Sequence, residues 1–199
     1  MTIFHLLRHG QHELGGGVLA GRMPGVGLSE RGRAEIAAVA DRLAGDGIRA
    51  LYASPLQRTR ESAEIVGTRL GLPVAFCDDL IELDFGEWTG TTFAAIRNDP
   101  RWEPWRTQRS LATIPGGESM RAVQRRAVEA MLAISADHRD QTVVAVSHGD
   151  VIRSILVFAL GMPLDLFGRL EVGLGSLSTI RLDADGIRVL AINERPRLP

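Results

Sequence analysis

Three short apolar runs in this chain stop abruptly at residues that a hydrophobic core does not select. Ile3 to Leu7 runs into Arg8-His9-Gly10, Ala50 to Ser54 runs into Pro55-Leu56-Gln57-Arg58, and Thr142 to Ser147 runs into His148-Gly149. Uninterrupted apolar runs of this length suit strands buried on both faces, which are the strands of a parallel sheet covered by helices. If these strands are parallel neighbours, their polar ends converge on one edge of the sheet. In such sheets ligands bind beyond the carboxyl ends of the strands.

The segments between the runs carry the helical period. Ser29 is an N-cap, and Ile36, Val39, Ala40 and Leu43 follow at helical spacing until Gly45. Ser54 is expected to cap a second helix with Pro55 at its first position. Its apolar positions Leu56, Thr59, Ala63, Val66 and Leu70 recur three and four apart before Gly71. Met120, Val123, Ala127, Ala130 and Ile134 mark a third helix from about Glu118, and a further one begins near Asp150. Val74 to Cys77 reads as a short strand. Ser178 to Leu182 and Ile187 to Ile192 flank Asp183-Ala184-Asp185-Gly186 as a hairpin. Glu82 to Gly90 reads as a loop anchored by Phe85 and Trp88, and Phe93 to Gly117 is less regular. The expected architecture is a three-layer α/β/α sandwich with a mostly parallel central sheet and an antiparallel edge, folded as one domain over residues 1–199.

Composition narrows the partners. A formal net charge of -1 gives no basic excess for nucleic acid or an anionic membrane, so any anion site must be local. The single cysteine, Cys77, forms no internal disulfide, and the N-terminal apolar run is too short for a signal peptide. Val151 to Leu160 includes Arg153 and falls short of the roughly 20 residues that span a bilayer, so it is expected to be a buried helix. A cytoplasmic location follows as an expectation; oligomeric state is not legible.

The converging termini bind anions before they do anything else. Arg8 and Arg58 carry planar forks that match phosphate oxygens, and Arg58 lies on a first helical turn, where the dipole favours an anion. Glycine after each histidine is expected to remove the Cβ that would keep two imidazoles from one ligand atom. A neutral imidazole at His9, kept unprotonated by two guanidinium groups, is a nucleophile. Phosphoryl transfer has a loose transition state with charge on its equatorial oxygens. Fixed positive charge from Arg8, Arg58 and a protonated His148 would stabilise it without a metal or cofactor. The leaving alkoxide still needs a proton, which calls for a carboxylic acid in the same pocket.

The chain resembles the histidine phosphatase superfamily, also called phosphoglycerate-mutase-like, in its mutase/phosphatase branch. The resemblance rests on Leu7-Arg8-His9-Gly10, Leu28-Ser29-Glu30-Arg31-Gly32, Ser54-Pro55-Leu56-Gln57-Arg58-Thr59, Glu82-Leu83-Asp84-Phe85-Gly86-Glu87-Trp88, Gly116-Gly117-Glu118-Ser119 and Ser147-His148-Gly149, in that order along nearly the whole chain. It implies His9 as the phosphohistidine-forming nucleophile, Arg8, Arg58, His148 and Gly149 as the phosphate pocket, and Glu82 as proton donor. Spacing alone does not single out Glu82 from Asp79, Asp84, Glu87 and Glu118. Where many members carry a small hydroxyl residue and an asparagine after the nucleophile, this chain has His12 and Gly15. An aspartate directly after the second histidine would mark the acid-phosphatase branch; here Gly149 intervenes before Asp150, which favours Glu82.

The expected activity is hydrolysis of small phosphomonoesters through phosphohistidine. Two alternatives remain open: a phosphoglycerate or related mutase, against which the compact segment from Glu82 to His148 speaks, and a non-catalytic phospho-ligand binding module, which would not need His9 or Glu82. The expected partner is a small phosphorylated metabolite whose identity is read in Thr91 to Gly117 and around Ala20-Gly21-Arg22. Arg101, Trp102, Trp105, Arg106 and Arg109 fit either a substrate lid or a solvated basic face. No histidine spacing resembles a zinc site; His5 and His138 are expected to be structural or solvated.

Overall fold

The structure, a computed structural model, describes residues 1–195, so residues 196–199 of the expected domain lie outside the described residues. Six strands form one sheet: β1 (Thr2–Arg8), β2 (Ile48–Ala53), β3 (Val74–Phe76), β4 (Thr142–Ser147), β5 (Leu177–Asp183) and β6 (Gly186–Glu194). Their order across the sheet is β3-β2-β4-β1-β5-β6. The β1/β4, β2/β4 and β2/β3 pairs are parallel, while β5 runs antiparallel to β1 and β6 folds back on it as the expected hairpin.

The helices are α1 (Glu30–Leu43), α2 (Gln57–Leu70), α3 (Phe93–Ile96), α4 (Trp102–Thr107), α5 (Met120–Asp137) and α6 (Gly149–Ala159). The strand period of two sorts the core into two layers. Leu7, Leu51, Ala53, Val144 and Val146 pack with Ile36, Val39, Leu43, Ala63 and Val66 of α1 and α2. Phe4, Leu6, Val143 and Ala145 pack instead with Val123, Met131, Ile152 and Ile155 of α5 and α6. Each large apolar side chain so buried contributes about 1.5–3 kcal/mol, which fixes the sheet register because a one-residue slip would exchange the two faces.

Some local expectations need correction. Ser29 caps α1 through Gly32 N–H, as expected, but Ser54 does not cap α2. That helix begins at Gln57 with Leu56 as its uncapped flank, and the Thr59 hydroxyl donates to the carbonyls of Ser54 and Leu56. The Ser54 hydroxyl is engaged elsewhere, at His148. Val151 to Leu160 is not wholly buried: Phe158 and Leu160 reach the surface, although no helix among the described residues is long and apolar enough to cross a membrane. The irregular segment contains α3 and α4, and the α4 indoles Trp102 and Trp105 pack with Trp88 in an aromatic cluster. His5 meets the Thr179 hydroxyl, and His138 meets Tyr52 and Gln141, so both are structural.

Candidate active site

The registers bring the polar strand ends together. Arg8 pairs with Ser147 and Ala53 with Val146; His9 N–H then donates to the Ser147 carbonyl at 3.1 Å and Ser54 N–H to the Val146 carbonyl at 3.0 Å. His9 and His148 therefore leave adjacent strands side by side, with ring centroids 5.3 Å apart. Both are buried, as is Arg58 from the first turn of α2.

Hydrogen bonds settle which ring nitrogen carries each proton. His9 Nδ1 lies 2.8 Å from the Gly10 carbonyl, which only accepts, and Arg58 Nε–H donates to His9 Nε2 at 3.3 Å. The proton is thus on Nδ1, and the Nε2 lone pair accepts the long Arg58 contact in a residue that lines the cavity. Arg58 Nη2 donates to the Gly21 carbonyl at 2.7 Å and to His148 Nδ1 at 3.2 Å, which leaves His148 Nε2–H to donate to the Ser54 hydroxyl at 2.7 Å. Burial first, and then the Arg58 charge, push both histidines well below the ordinary imidazole value. Burial and Arg58 thus disfavour a second proton on His148, so the protonated ring expected during phosphoryl transfer needs a compensating negative charge beside it.

The two glycines act differently from the sequence expectation. A Cβ on Gly10 would lie 2.4 Å from the Gly32 carbonyl oxygen, so Gly10 permits the first loop to pack on α1. A Cβ on Gly149 would meet the Arg8 guanidinium carbon at 3.0 Å, so Gly149 makes room for Arg8. Arg8 Nη1 donates to the Val172 carbonyl at 2.7 Å, which orients the fork across the strand ends.

Glu82 is buried beside His148, with an oxygen 3.8 Å from Nδ1, and its other oxygen accepts from Leu83 N–H at 2.9 Å. Burial raises its pKa to about 7, with Asp150 adding to the rise and Arg58 opposing it. The rise exists before any ligand binds, whereas the sequence placed it chiefly in the complex. Of the competing carboxylates, Glu118 is committed to Arg22 at 2.7 Å and Arg126 at 3.0 Å. Those two arginines also donate to the Glu82 carbonyl, so Glu118 braces the loop from behind. Asp84 accepts from Gly86 N–H, and Glu87 pairs with Arg101.

Arg8, His9, Arg58, Glu82 and Gly149 line a cavity of about 440 Å³ that also includes His12, Phe85, Phe93, Trp102, Trp105, Arg106, Arg109, Asp150 and Arg153, whereas His148 is not among its lining residues. Its size exceeds that of a phosphate group and suits a small organic ester. Among the described residues, every buried side-chain polar atom without a partner belongs to a residue lining this cavity, apart from Arg181 Nε. They are Arg8 Nε, His12 Nδ1, Arg58 Nη1, Trp105 Nε1, Arg109 Nη1 and Arg153 Nε. Since buried donors are normally satisfied, such a concentration marks a place that oxygens fill. By contrast, a groove of about 590 Å³ between α1 and α2 has its arginines paired, Arg33 with Glu61 and Arg69 with Asp41. Among the described residues no three His, Cys, Asp or Glu side chains converge to hold a metal ion.

The Arg/Trp-rich segment divides between its two descriptions. Trp102, Trp105, Arg106 and Arg109 line the cavity, while Arg101 is an exposed partner of Asp99 and Glu87. Trp88 does not line the cavity but donates to Asp99 in the wall behind. Sequence reasoning missed Asp150 and Arg153 as wall residues. Their spacing of three on the first turn of a helix that follows His148 was the available signal.

The family model of the histidine phosphatase superfamily (branch 1) matches residues 4–195. A bifunctional protein of Mycobacterium tuberculosis is 39% identical over 183 residues, covering 91% of this chain but 50% of that protein, so the chain spans about half the length of this relative. A glucosyl-3-phosphoglycerate phosphatase of Mycolicibacterium vanbaalenii is 31% identical over 198 residues, covering 89% of this chain and 82% of the relative. The solved native structure of a mycobacterial glucosyl-3-phosphoglycerate phosphatase superposes with a TM-score of 0.86 at 27% identity, covering 96% of this chain and 98% of the other. The strand-end histidines and arginines thus sit in a chain that belongs, over nearly its whole length, to the histidine phosphatase superfamily, branch 1.

Proposed function

We propose that this chain hydrolyses small phosphomonoesters in two steps through a phosphohistidine at His9. In the first step the Nε2 lone pair attacks phosphorus, the bond to the ester oxygen breaks, and Glu82 gives its proton to the departing alkoxide. In the second, water attacks phosphorus, Glu82 takes a proton from it, the N–P bond breaks, and phosphate leaves with His9 neutral again. Arg8, Arg58 and the amide of Gly149 at the start of α6 hold the phosphoryl oxygens. Opposite charge favours the protonated form of an imidazole, so the arriving dianion lets His148 gain a proton and join them as a donor. His12, with its unpartnered Nδ1, takes the place of the hydroxyl residue that many members have. With that much fixed positive charge the reaction needs no metal.

The observation that supports this most is that His9, a cavity-lining residue, keeps Nε2 unprotonated and held only by a long contact from Arg58, among unpartnered guanidinium donors. A binding module would need the donors but neither an unprotonated Nε2 on His9 nor a carboxyl group poised near neutrality. Small phosphorylated metabolites are the substrate class, in keeping with relatives named phosphoserine phosphatase and glucosyl-3-phosphoglycerate phosphatase.

The test is a panel of phosphate esters that includes both phosphoglycerates, assayed with and without chelator for free phosphate and for isomerised product. Mass spectrometry of acid-labile phosphate on His9 accompanies it. Free phosphate, phosphohistidine and no isomerisation are expected, and His9→Ala is expected to abolish all turnover. Isomerisation without phosphate release would make the chain a mutase. Binding with neither product nor phosphohistidine would make it a binding module.

A further inference from the structure

The Ala20-Gly21-Arg22 turn, read from the sequence as part of substrate recognition, divides at the cavity. Ala20 and Gly21 line it, whereas Arg22 does not. Gly21 has φ +48°, in the left-handed region, where a Cβ would press on the Phe85 ring at 3.1 Å, and its carbonyl accepts from Arg58. With its backbone held there, Arg22 uses its fork outside the cavity. Its Nε–H donates to the Glu82 carbonyl at 2.9 Å, Nη2 donates to Glu118 at 2.7 Å, and Nη1 lies 3.7 Å from Asp84. Arg126 Nη2 reaches the same Glu82 carbonyl from α5 at 3.3 Å.

The carbonyl so held belongs to the peptide unit that also carries Leu83 N–H, and that N–H donates to Glu82 Oε1 at 2.9 Å. A trans peptide is planar, so its C=O and N–H point in opposite directions and turn as one body. Two guanidinium donors on the oxygen therefore fix where the N–H points, and the N–H fixes one oxygen of the proton donor. Glu118 completes the frame: its carboxylate accepts from Arg22, Arg126 and Asp84 N–H, and its own N–H donates to the Asp84 carbonyl. The other groups that face the Glu82 carboxyl are His148 at 3.8 Å and the charges of Asp150, Arg58 and Arg8.

We propose that Arg22 is a positioning residue for the proton donor: it stands outside the cavity and, through the Glu82–Leu83 peptide, aims the Glu82 carboxyl at the leaving oxygen. The role rests on the phosphatase reading, in which Glu82 is the acid. Without the fork the peptide is free to rock about its flanking bonds and Leu83 N–H drifts from Oε1. The carboxyl then loses its aim, and the loss falls on esters whose leaving group needs its proton. It also loses a donor that favours the carboxylate, together with a nearby positive charge, so both changes move its titration to higher pH.

The test measures single-turnover phosphoryl transfer from sn-glycerol 3-phosphate and from p-nitrophenyl phosphate in wild type, Arg22→Met, Glu82→Gln and the double variant. Because a misplaced catalytic group loses rate steeply with distance, Arg22→Met should slow the alkyl ester about tenfold or more beyond the aryl ester. The alkaline limb of its alkyl pH profile should move to higher pH. In the Glu82→Gln background Arg22→Met should add little to the contrast between esters, since the peptide then has no acid to aim. Arg22→Lys keeps the charge beside Glu118 and Asp84 without the fork, so it should show the same contrast in weaker form, and it carries the test if Arg22→Met does not fold. Equal slowing of the two esters, an unmoved limb, or a contrast that adds in full to that of Glu82→Gln overturns the role. An ester-selective Glu82→Gln beside an unselective Arg22→Met removes Arg22 alone and leaves the phosphatase reading intact. A Glu82→Gln that slows both esters equally removes the acid first, and the role of Arg22 with it.

Discussion

Arg58 Nε–H points at His9 Nε2 from 3.3 Å, while His9 gives its own ring proton to the Gly10 carbonyl at 2.8 Å. One buried guanidinium thereby disfavours the imidazolium and faces the nitrogen that would attack phosphorus, while its own Nη1 is buried without a partner. The contact at Nε2 is long and gives way to phosphorus at little energetic cost.

The first prediction concerns that contact. Lysine offers a point charge on a flexible stem in place of the fork, so Arg58→Lys should lower kcat/KM by about 10²-fold or more, as loss of a preorganised oxyanion donor does. Arg58 is also the largest charge holding His9 down, and Lys at 58 cannot reproduce its placement. The His9 ring, followed by NMR, should therefore titrate at higher pH in the variant than in the wild type. Unchanged kcat/KM in a folded Arg58→Lys would remove Arg58 from the phosphate pocket.

The neutral histidine pair should make the fold acid-sensitive. A histidine whose folded pKa lies below its unfolded value near 6.5 contributes stability that is present in full above that value and lost as pH falls toward the folded pKa. Denaturant unfolding between pH 8 and pH 5 should show declining stability below about pH 6.5. His9→Gln should reduce the slope, because one of the two protons taken up on unfolding disappears. An identical slope in wild type and His9→Gln would mean that His9 is already charged in the folded protein.

Gly10 and Gly149 should fail in different ways. At Gly10 an added methyl meets the Gly32 backbone, which is anchored in α1, so Gly10→Ala should cost stability of about 1–3 kcal/mol, as overpacking does. At Gly149 the methyl meets the movable end of Arg8, so Gly149→Ala should fold nearly normally but bind vanadate or phosphate more weakly. Calorimetry of both variants checks this. Equal loss of stability in the two would show that Arg8 is as rigid as backbone.

Much of this site was legible in the sequence because its residues sit at strand ends, where an apolar run that stops in Arg-His-Gly or Ser-His-Gly is visible without coordinates. The sheet and most helices followed from period and caps. Ser54 was misread because a serine before proline satisfies the local rule for a cap, while its actual partner, His148, lies 94 positions away and leaves no local trace. The same limit hid Arg153 and left Arg109 open between a substrate lid and a solvated face. Neither shows in the sequence that its guanidinium lies over the Phe167 ring. Glu82 could not be chosen over Glu118 by spacing; what separates them is that Glu118 is held by two arginines and Glu82 by none.

The last prediction follows from the Glu82 pKa of about 7. An acid with that value is partly protonated at neutral pH and becomes tenfold scarcer with each further unit, so kcat/KM for alkyl phosphates should fall as pH rises through about 7. Glu82→Gln should remove that limb and slow alkyl esters far more than p-nitrophenyl phosphate, whose leaving group needs little protonation. Because Glu82 also serves water in the second step, the variant should accumulate phosphohistidine on the aryl ester, seen as a burst of nitrophenol. The same group leaves a mark on stability. Between the ordinary carboxylate value and about 7 the folded protein holds a proton that the unfolded chain has lost, so this contribution is full at low pH and is lost as pH rises through 7. Relative to wild type, Glu82→Gln should therefore gain stability from pH 5 to pH 8, on the order of 3 kcal/mol for a shift of this size. Equal slowing of both esters in single-turnover phosphoryl transfer, with no relative gain in stability, would mean that Glu82 is neither the acid nor a buried neutral carboxyl group.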